Sequence, residues 1–309
     1  MLGRPRRRFS PSWPWTECAR DKSRVRLDLV DYGFSVTICL AAITRDRRHI
    51  ISVSDRRLSF GYDAPAADIL LKDHTLCTGW GALFCANDTS YALPILGHAR
   101  GLLSNDQPRT LANVRQAMCE SYAIALEDYV TKAILRKFGF KSLMEFRTTA
   151  ISQLGRKLSW SLSRKIDRAT IGDLEFLVYG FDAEHGSAHL FHVQHPGFAT
   201  SVDQVGYFAI GSGCKMAMNS LQMRPIQSLS DQALIYRLVE AKFAAETADG
   251  VGPNTTVFTL ERGSDSAGFI LPATIEKYRQ HWEKWRAEPP PEEILKLIAV
   301  YDMPQKNEK

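Results

Sequence analysis

Two side chains open the chemical reading of this sequence, the hydroxyl of Thr37 and the carboxylate of Asp55. Both lie in the stretch 35–57, SVTICLAAITRDRRHIISVSDRR, which reads as two apolar strands joined by a charged turn. Residues 36–43 are nearly all apolar and rich in β-branched side chains, which suits a strand buried on both faces. Residues 50–54 form a second, shorter β-branched run that ends on Asp55, Arg56 and Arg57. Arg45, Asp46, Arg47 and Arg48 supply the exposed turn. A hairpin centred on Asp46 pairs residue 37 with residue 55, because 46 is their midpoint. Cross-strand partners are about 4.5–5.5 Å apart at Cβ. The hairpin therefore sets an alcohol opposite an acid at its open end, close enough to form a site. The structural alternative is a satisfied aspartate at the end of a sheet.

Composition narrows the function classes. The 309 residues are enough to bury a full core, in one large domain or two modest ones. The 45% apolar and 24% charged fractions are those of a soluble globular protein. The net charge of +5 is mild, and much of it sits in the opening MLGRPRRR. A dedicated nucleic-acid binder spreads its cations over a face, so that function is not expected. No apolar run reaches the roughly 18 residues needed to span a bilayer. The basic start is not followed by an apolar segment of the secretory type. Six cysteines (Cys18, Cys39, Cys77, Cys85, Cys119 and Cys214) lack C-x-x-C spacing and fit buried free thiols in a reducing, cytoplasmic compartment.

The elements that must position Thr37 and Asp55 follow from the rest of the chain. Residues 1–33 read as a poorly ordered or processed extension. Residues 58–66 read as a loop, followed by strands at 68–71 and 75–80. A helix is expected from Asp88 or Thr89 to about Leu103, with Pro94 in its first turn or kinking it. A second runs from Thr110 to Phe138, where Gly139 stops it. Residues 141–168 fit either a helix with a basic face or an inserted hairpin. Strands at 174–181 and 188–193 pair around a turn at His185 and Gly186, and 201–210 carries further strand signal. Gly211-Ser212-Gly213 makes a strand-to-helix corner. Helices at 214–222 and 230–247, a loop at 249–253 and a core strand at 255–260 complete the pattern. The tail, with Trp282 and Trp285 on a helix before three prolines, reads as a surface appendage. Segregated strand and helix blocks argue an α+β fold with helices covering antiparallel sheets. Of the four histidines His185, His189, His192 and His195, the middle two fall on opposite faces of one strand, so no shared metal site is expected.

The order of these elements resembles the proteasome β-subunit superfamily, closest to its bacterial branch that includes HslV and the Anbu proteins. Five pieces over about residues 36–260 carry the likeness. Thr37-Ile38-Cys39-Leu40-Ala41 resembles the nucleophile strand, and Ser54-Asp55-Arg56-Arg57 the aspartate-bearing strand end. Tyr179-Gly180-Phe181-Asp182 resembles a later Gly-x-Asp strand end. Ala209-Ile210-Gly211-Ser212-Gly213 resembles the Gly-Ser-Gly turn, and Asp249-Gly250-Val251-Gly252-Pro253 the late acidic loop. The resemblance implies a four-layer αββα sandwich over 34–262, with 1–33 as an N-terminal extension and 263–309 as a C-terminal helical appendage.

It also implies a chemistry. Family members cleave peptide or amide bonds with an N-terminal threonine whose own α-amine is the base. On this resemblance Thr37 is the nucleophile, Asp55 the orienting carboxylate, and Lys72 the nearby cation that holds the amine's pKa down. Ser212 and Asp249 complete the polar shell, and an amide of the Gly211–Gly213 corner meets the oxyanion. The implied partners are other copies of the chain in a ring or open spiral, a peptide or amide substrate, and an unfoldase. No cofactor is implied. Three features depart from the pattern: Thr37 is internal, Val36 stands where self-processing members carry glycine, and Gly252 stands where many carry serine. The sequence thus carries two readings, a threonine hydrolase after removal of residues 1–36 and a catalytically silent assembly subunit.

Overall fold

The computed structural model of the chain describes residues 37–58, 67–86, 88–104, 108–224, 226, 228–264, 267–288 and 291. Expectations for residues 1–33, for Cys18 and for most of the 58–66 loop lie outside them. Among the described residues, ten strands form two five-stranded antiparallel sheets. The first contains β1 (Cys39–Ile43), β2 (His49–Asp55), β8 (Tyr207–Ile210), β9 (Thr255–Glu261) and β10 (Ala267–Phe269), in the order β10-β9-β2-β1-β8. The second contains β3 (Asp73–Cys77), β4 (Trp80–Cys85), β5 (Glu175–Phe181), β6 (Ala188–Gln194) and β7 (Phe198–Ser201), in sequence order.

Side-chain alternation divides each central strand between two cores. In β1, Cys39, Ala41 and Ile43 meet Leu83, Leu177 and Leu190 of the other sheet, while Leu40 and Ala42 face helices on the outside. That outer layer consists of α4 (Cys214–Met223), α5 (Asp231–Ala245) and α6 (Pro272–Ala287). On the far side, α1 (Ala92–Leu103) and α2 (Leu111–Tyr129) cover the second sheet through residues such as Leu96, Met118 and Tyr122 against Phe84 and Phe176. The layers are therefore α, β, β, α, as expected. The tail is built into them: β10 extends the first sheet, and Ile275 and Trp282 of α6 are buried in the outer core. Among the described residues, no helix is long and apolar enough to cross a membrane.

Several local expectations are corrected. The β1–β2 hairpin pairs Cys39 with Ser54 and Ile43 with Ile50, so its centre falls between Asp46 and Arg47. Thr37 is thus one residue out of register with Asp55, whose N–H instead bonds the Ile38 carbonyl at 3.1 Å. The cause is the turn, which closes with an even loop and puts Arg47 at φ 56. Residues 68–71 are not a strand, and the strand expected over 75–80 is broken by a turn at Thr78–Gly79 joining β3 to β4. The signal over 201–210 splits as well: β7 ends at Ser201 in one sheet, and β8 begins at Tyr207 in the other. The open segment 141–168 is helical, α3 (Leu143–Asp167), capped by Ser142 and broken at Gly155. Between α2 and α3 lie a π-helical turn, Val130–Ile134, and a 3-10 turn, Leu135–Phe138, which Gly139 ends in the left-handed region.

Candidate active site

Thr37 lies just ahead of β1, beside the mouth of the β1–β2 hairpin. Its hydroxyl donates to Asp55 Oδ1 at 2.6 Å and accepts a hydrogen bond from the Lys72 ammonium. Lys72 Nζ also bonds Asp55 Oδ1 at 2.7 Å. All three side chains are buried, Thr37 2%, Asp55 0% and Lys72 3% exposed. A buried pair of opposite charges holds only when its remaining bonding capacity is met, and around Asp55 the backbone supplies most of it. Asp55 Oδ1 further accepts from the Ile38 N–H at 3.0 Å; Oδ2 accepts from the N–H groups of Arg57 and Gly252, each at 3.1 Å. The one-residue register shift does not separate the pair, because the Asp55 carboxylate reaches both Thr37 and the next residue along β1.

Ser212 sits on the other side of Thr37. Its Oγ accepts from the Thr37 N–H at 3.2 Å and lies 3.2 Å from the Thr37 carbonyl oxygen. The corner it belongs to admits no side chain at Gly211. A Cβ there lies 2.4 Å from the Thr37 carbonyl oxygen, and the backbone is at φ 93. The Gly213 N–H bonds that same carbonyl at 3.3 Å, so of the corner's amides this one is committed to positioning Thr37. Asp249 approaches the cluster with its backbone: its carbonyl oxygen lies 3.4 Å from Ser212 Oγ, and its side chain is exposed. Four of the five expected residues thus meet through side chains, and the fifth through its main chain.

The sequence did not reveal what stands behind Asp55. Lys242 of α5 is fully buried and donates to the carbonyls of Gly252 at 2.6 Å and Pro253 at 3.0 Å, and to Glu246 Oε1 at 2.5 Å. Arg279 of α6 grips the same Glu246 carboxylate with two bonds, at 2.7 and 2.8 Å. Burial brings the Lys242 ammonium down to about 8, against the upward pull of Glu246 and Asp55. The Lys242 bond to the Gly252 carbonyl and the Gly252 N–H bond to Asp55 lock the 249–253 loop onto the carboxylate. Gly252 is close-packed: a Cβ there lies 2.7 Å from both Arg57 Cβ and Asp68 Oδ1. The available signal for Lys242 was its setting among Leu238, Val239, Ala241, Phe243 and Ala245, with Glu246 one turn on.

A second buried carboxylate lies one residue past Lys72. Asp73 accepts hydrogen bonds from Ser52 Oγ on β2 and from the Tyr179 hydroxyl on β5, the latter at 2.6 Å, and so ties the two sheets together. Burial outweighs these two bonds and pushes the Asp73 carboxyl up to about 6. Burial, with the Asp73 charge nearby, also carries the Tyr179 phenol well above its ordinary value. Cys85 beside the corner is raised by burial too and is an unreactive thiol. Asp182, from the later strand-end motif, accepts from the N–H groups of Leu111, Glu184 and His185 and acts as a cap. His189 pairs with Asp203 at 2.7 Å and His192 with Glu175 at 3.5 Å, on opposite faces of β6.

These layers and this corner define an αββα sandwich with a hydroxyl–carboxylate–ammonium cluster at one end. No family model matches the chain, and no curated protein matches it. Among solved structures, a Gly-1 mutant of Anbu from Hyphomicrobium sp. strain MC1 has the same fold, with a TM-score of 0.55 at 12% identity. The match covers 80% of this chain and 93% of that one. At this identity the likeness shows a shared fold and distinguishes no branch of the expected group.

Proposed function

We propose that this chain is a proteasome-like threonine hydrolase of peptide or amide bonds, active once Thr37 becomes the first residue. The observation that carries the reading is the three-way contact of Thr37 Oγ1, Asp55 and Lys72. A threonine hydroxyl is a weak nucleophile and needs a base. Release of the preceding chain turns the Thr37 amide nitrogen into an α-amine, held beside Ser212 Oγ. The amine takes the hydroxyl proton as Oγ1 attacks the substrate carbonyl, and Lys72 stabilises the developing alkoxide. Collapse of the tetrahedral adduct passes that proton to the leaving amine and leaves an ester on Thr37. Water then hydrolyses the ester with the same amine as base. Asp55 holds Lys72 and the start of β1 in place, and the Gly211–Ser212 amides face the oxyanion.

The test is turnover of a peptide and amide panel by a chain beginning at Thr37, set against the same chain carrying Thr37→Ala. The variant should lose activity by roughly 10³-fold or more. Equal turnover by both chains, or none by either, contradicts the reading.

A second reading keeps the fold and drops the chemistry, leaving a silent assembly subunit. It is favoured by Val36 before Thr37 and by the close-packed Gly252, where no serine side chain fits without displacing Arg57 or Asp68. On both readings the chain associates with copies of itself in a ring or open spiral, which mass measurement of the assembled protein checks. Under the silent reading, Thr37→Ala leaves assembly intact and there is no activity to lose.

A further inference from the structure

Residues 130–169 form a helical annex with a small core of its own, in which Val130, Ile134, Phe140, Phe146 and Leu162 are buried together. A cavity of about 610 Å³ opens on this annex. Its lining combines residues of the π-helical turn with the second half of α3 and the residues after it. Four cations, Lys137, Arg164, Lys165 and Arg168, line the cavity beside Tyr129 and Ser161. No carboxylate among the described residues lines it. Among the described residues, none of the four cations forms an ion pair. Arg164 lies over the Trp160 ring, 3.7 Å from its centroid, which fixes the course of that side chain.

Cations at the ends of helices are favoured by the helix dipole, which accounts for each of these residues singly. It does not account for two helix ends delivering four of them to one cavity whose described lining leaves out Asp167, the acid between Lys165 and Arg168 in the chain. Like charges gathered in this way repel unless an anion joins them. A π-helical turn is itself a distortion found frequently at functional positions.

We propose that this cavity binds a small polyanion bearing a diphosphate group. The volume falls within the roughly 300–1,000 Å³ of small-molecule sites. A diphosphate group carries roughly −3 in total at neutral pH, a charge that four cations more than offset. Arginine forks suit phosphate oxygens, and two of the four cations are arginines. The four cations are exposed and gather around one concavity; a nucleic acid or an acidic protein calls for an extended stripe. The proposal is independent of the chemistry at Thr37.

Calorimetric titration of the full chain with inorganic pyrophosphate, without divalent metal and at about 50 mM salt, tests it. Saturable binding of one pyrophosphate per chain is expected, weakening as salt rises. The double variant Arg164→Glu, Arg168→Glu should weaken binding by about tenfold or more. A control with the same charge change outside the cavity, Arg156→Glu with Lys157→Glu, should stay within about threefold. A nucleoside diphosphate that binds more tightly than pyrophosphate places a base against the cavity wall, and equal affinities assign the site to the diphosphate alone; either result supports the proposal. Absence of saturation at low salt, equal weakening by both double variants, or binding only of RNA or an acidic peptide overturns it.

Discussion

Asp55 and Asp73 are both buried carboxylates near one end of the sandwich, and their surroundings give them opposite characters. Asp55 accepts from three backbone amides, one hydroxyl and one ammonium. Asp73 accepts from two hydroxyls and touches no cation. Burial wins at Asp73 and lifts its carboxyl to about 6, while Asp55 is the anchor of a buried ion pair. The lesson is that position in the core does not decide what a carboxylate does. The number and charge of its donors decide it, and both are set by residues far away in sequence.

The sharpest way to break the contrast is to remove Asp55. Asp55→Ala leaves Lys72 buried and unpaired and should destabilise the fold by about 3–5 kcal/mol, with loss of any Thr37-dependent turnover. Denaturant unfolding and a peptidase assay read the two effects; a stable, active variant breaks the comparison. Asp73→Asn should act with the opposite sign at neutral pH. Because the folded value is raised, the folded state alone holds the proton between about 3.8 and about 6. Above that window the buried anion costs folding about 2–3 kcal/mol. The stability of the asparagine variant relative to wild type should therefore be higher near pH 7.5 than near pH 4 by about that amount. A pH-independent difference in thermal unfolding contradicts it.

Gly252→Ser adds a side chain whose Cβ meets Arg57 and Asp68 at 2.7 Å. It should cost about 1–3 kcal/mol by crowding, read from the unfolding midpoint. Ser52→Ala is the mildest change. Loss of one donor to Asp73 should cost about 1 kcal/mol and widen the pH window upward, because a carboxylate with fewer donors holds its proton longer.

Much of the architecture was legible because central strands such as β1 and β5 are long apolar runs, and because Thr110, Ser142 and Ser230 cap helices in the usual way. The hairpin register was not legible. It hangs on Arg47 adopting a left-handed conformation, for which arginine gives no cue. The Thr37–Asp55 contact was legible from the hairpin, 18 residues apart, whereas those of Lys72 and Ser212 could be anticipated only from motif order, since Ser212 lies 175 positions from Thr37. Lys242 and Asp73 escaped for a different reason. A lysine on a helix and an aspartate beside a strand ordinarily face water, and only tertiary packing buries this pair.

The central claim is that Thr37 Oγ1 is the group that becomes acylated. Its most direct test is peptide mapping by mass spectrometry after a chain beginning at Thr37 has reacted with an amide substrate under acid quench. The account predicts an acyl mass added to the peptide that starts at Thr37, absent when Lys72 is changed to alanine. Turnover with Thr37 unmodified, or an acyl group found on another residue, contradicts it.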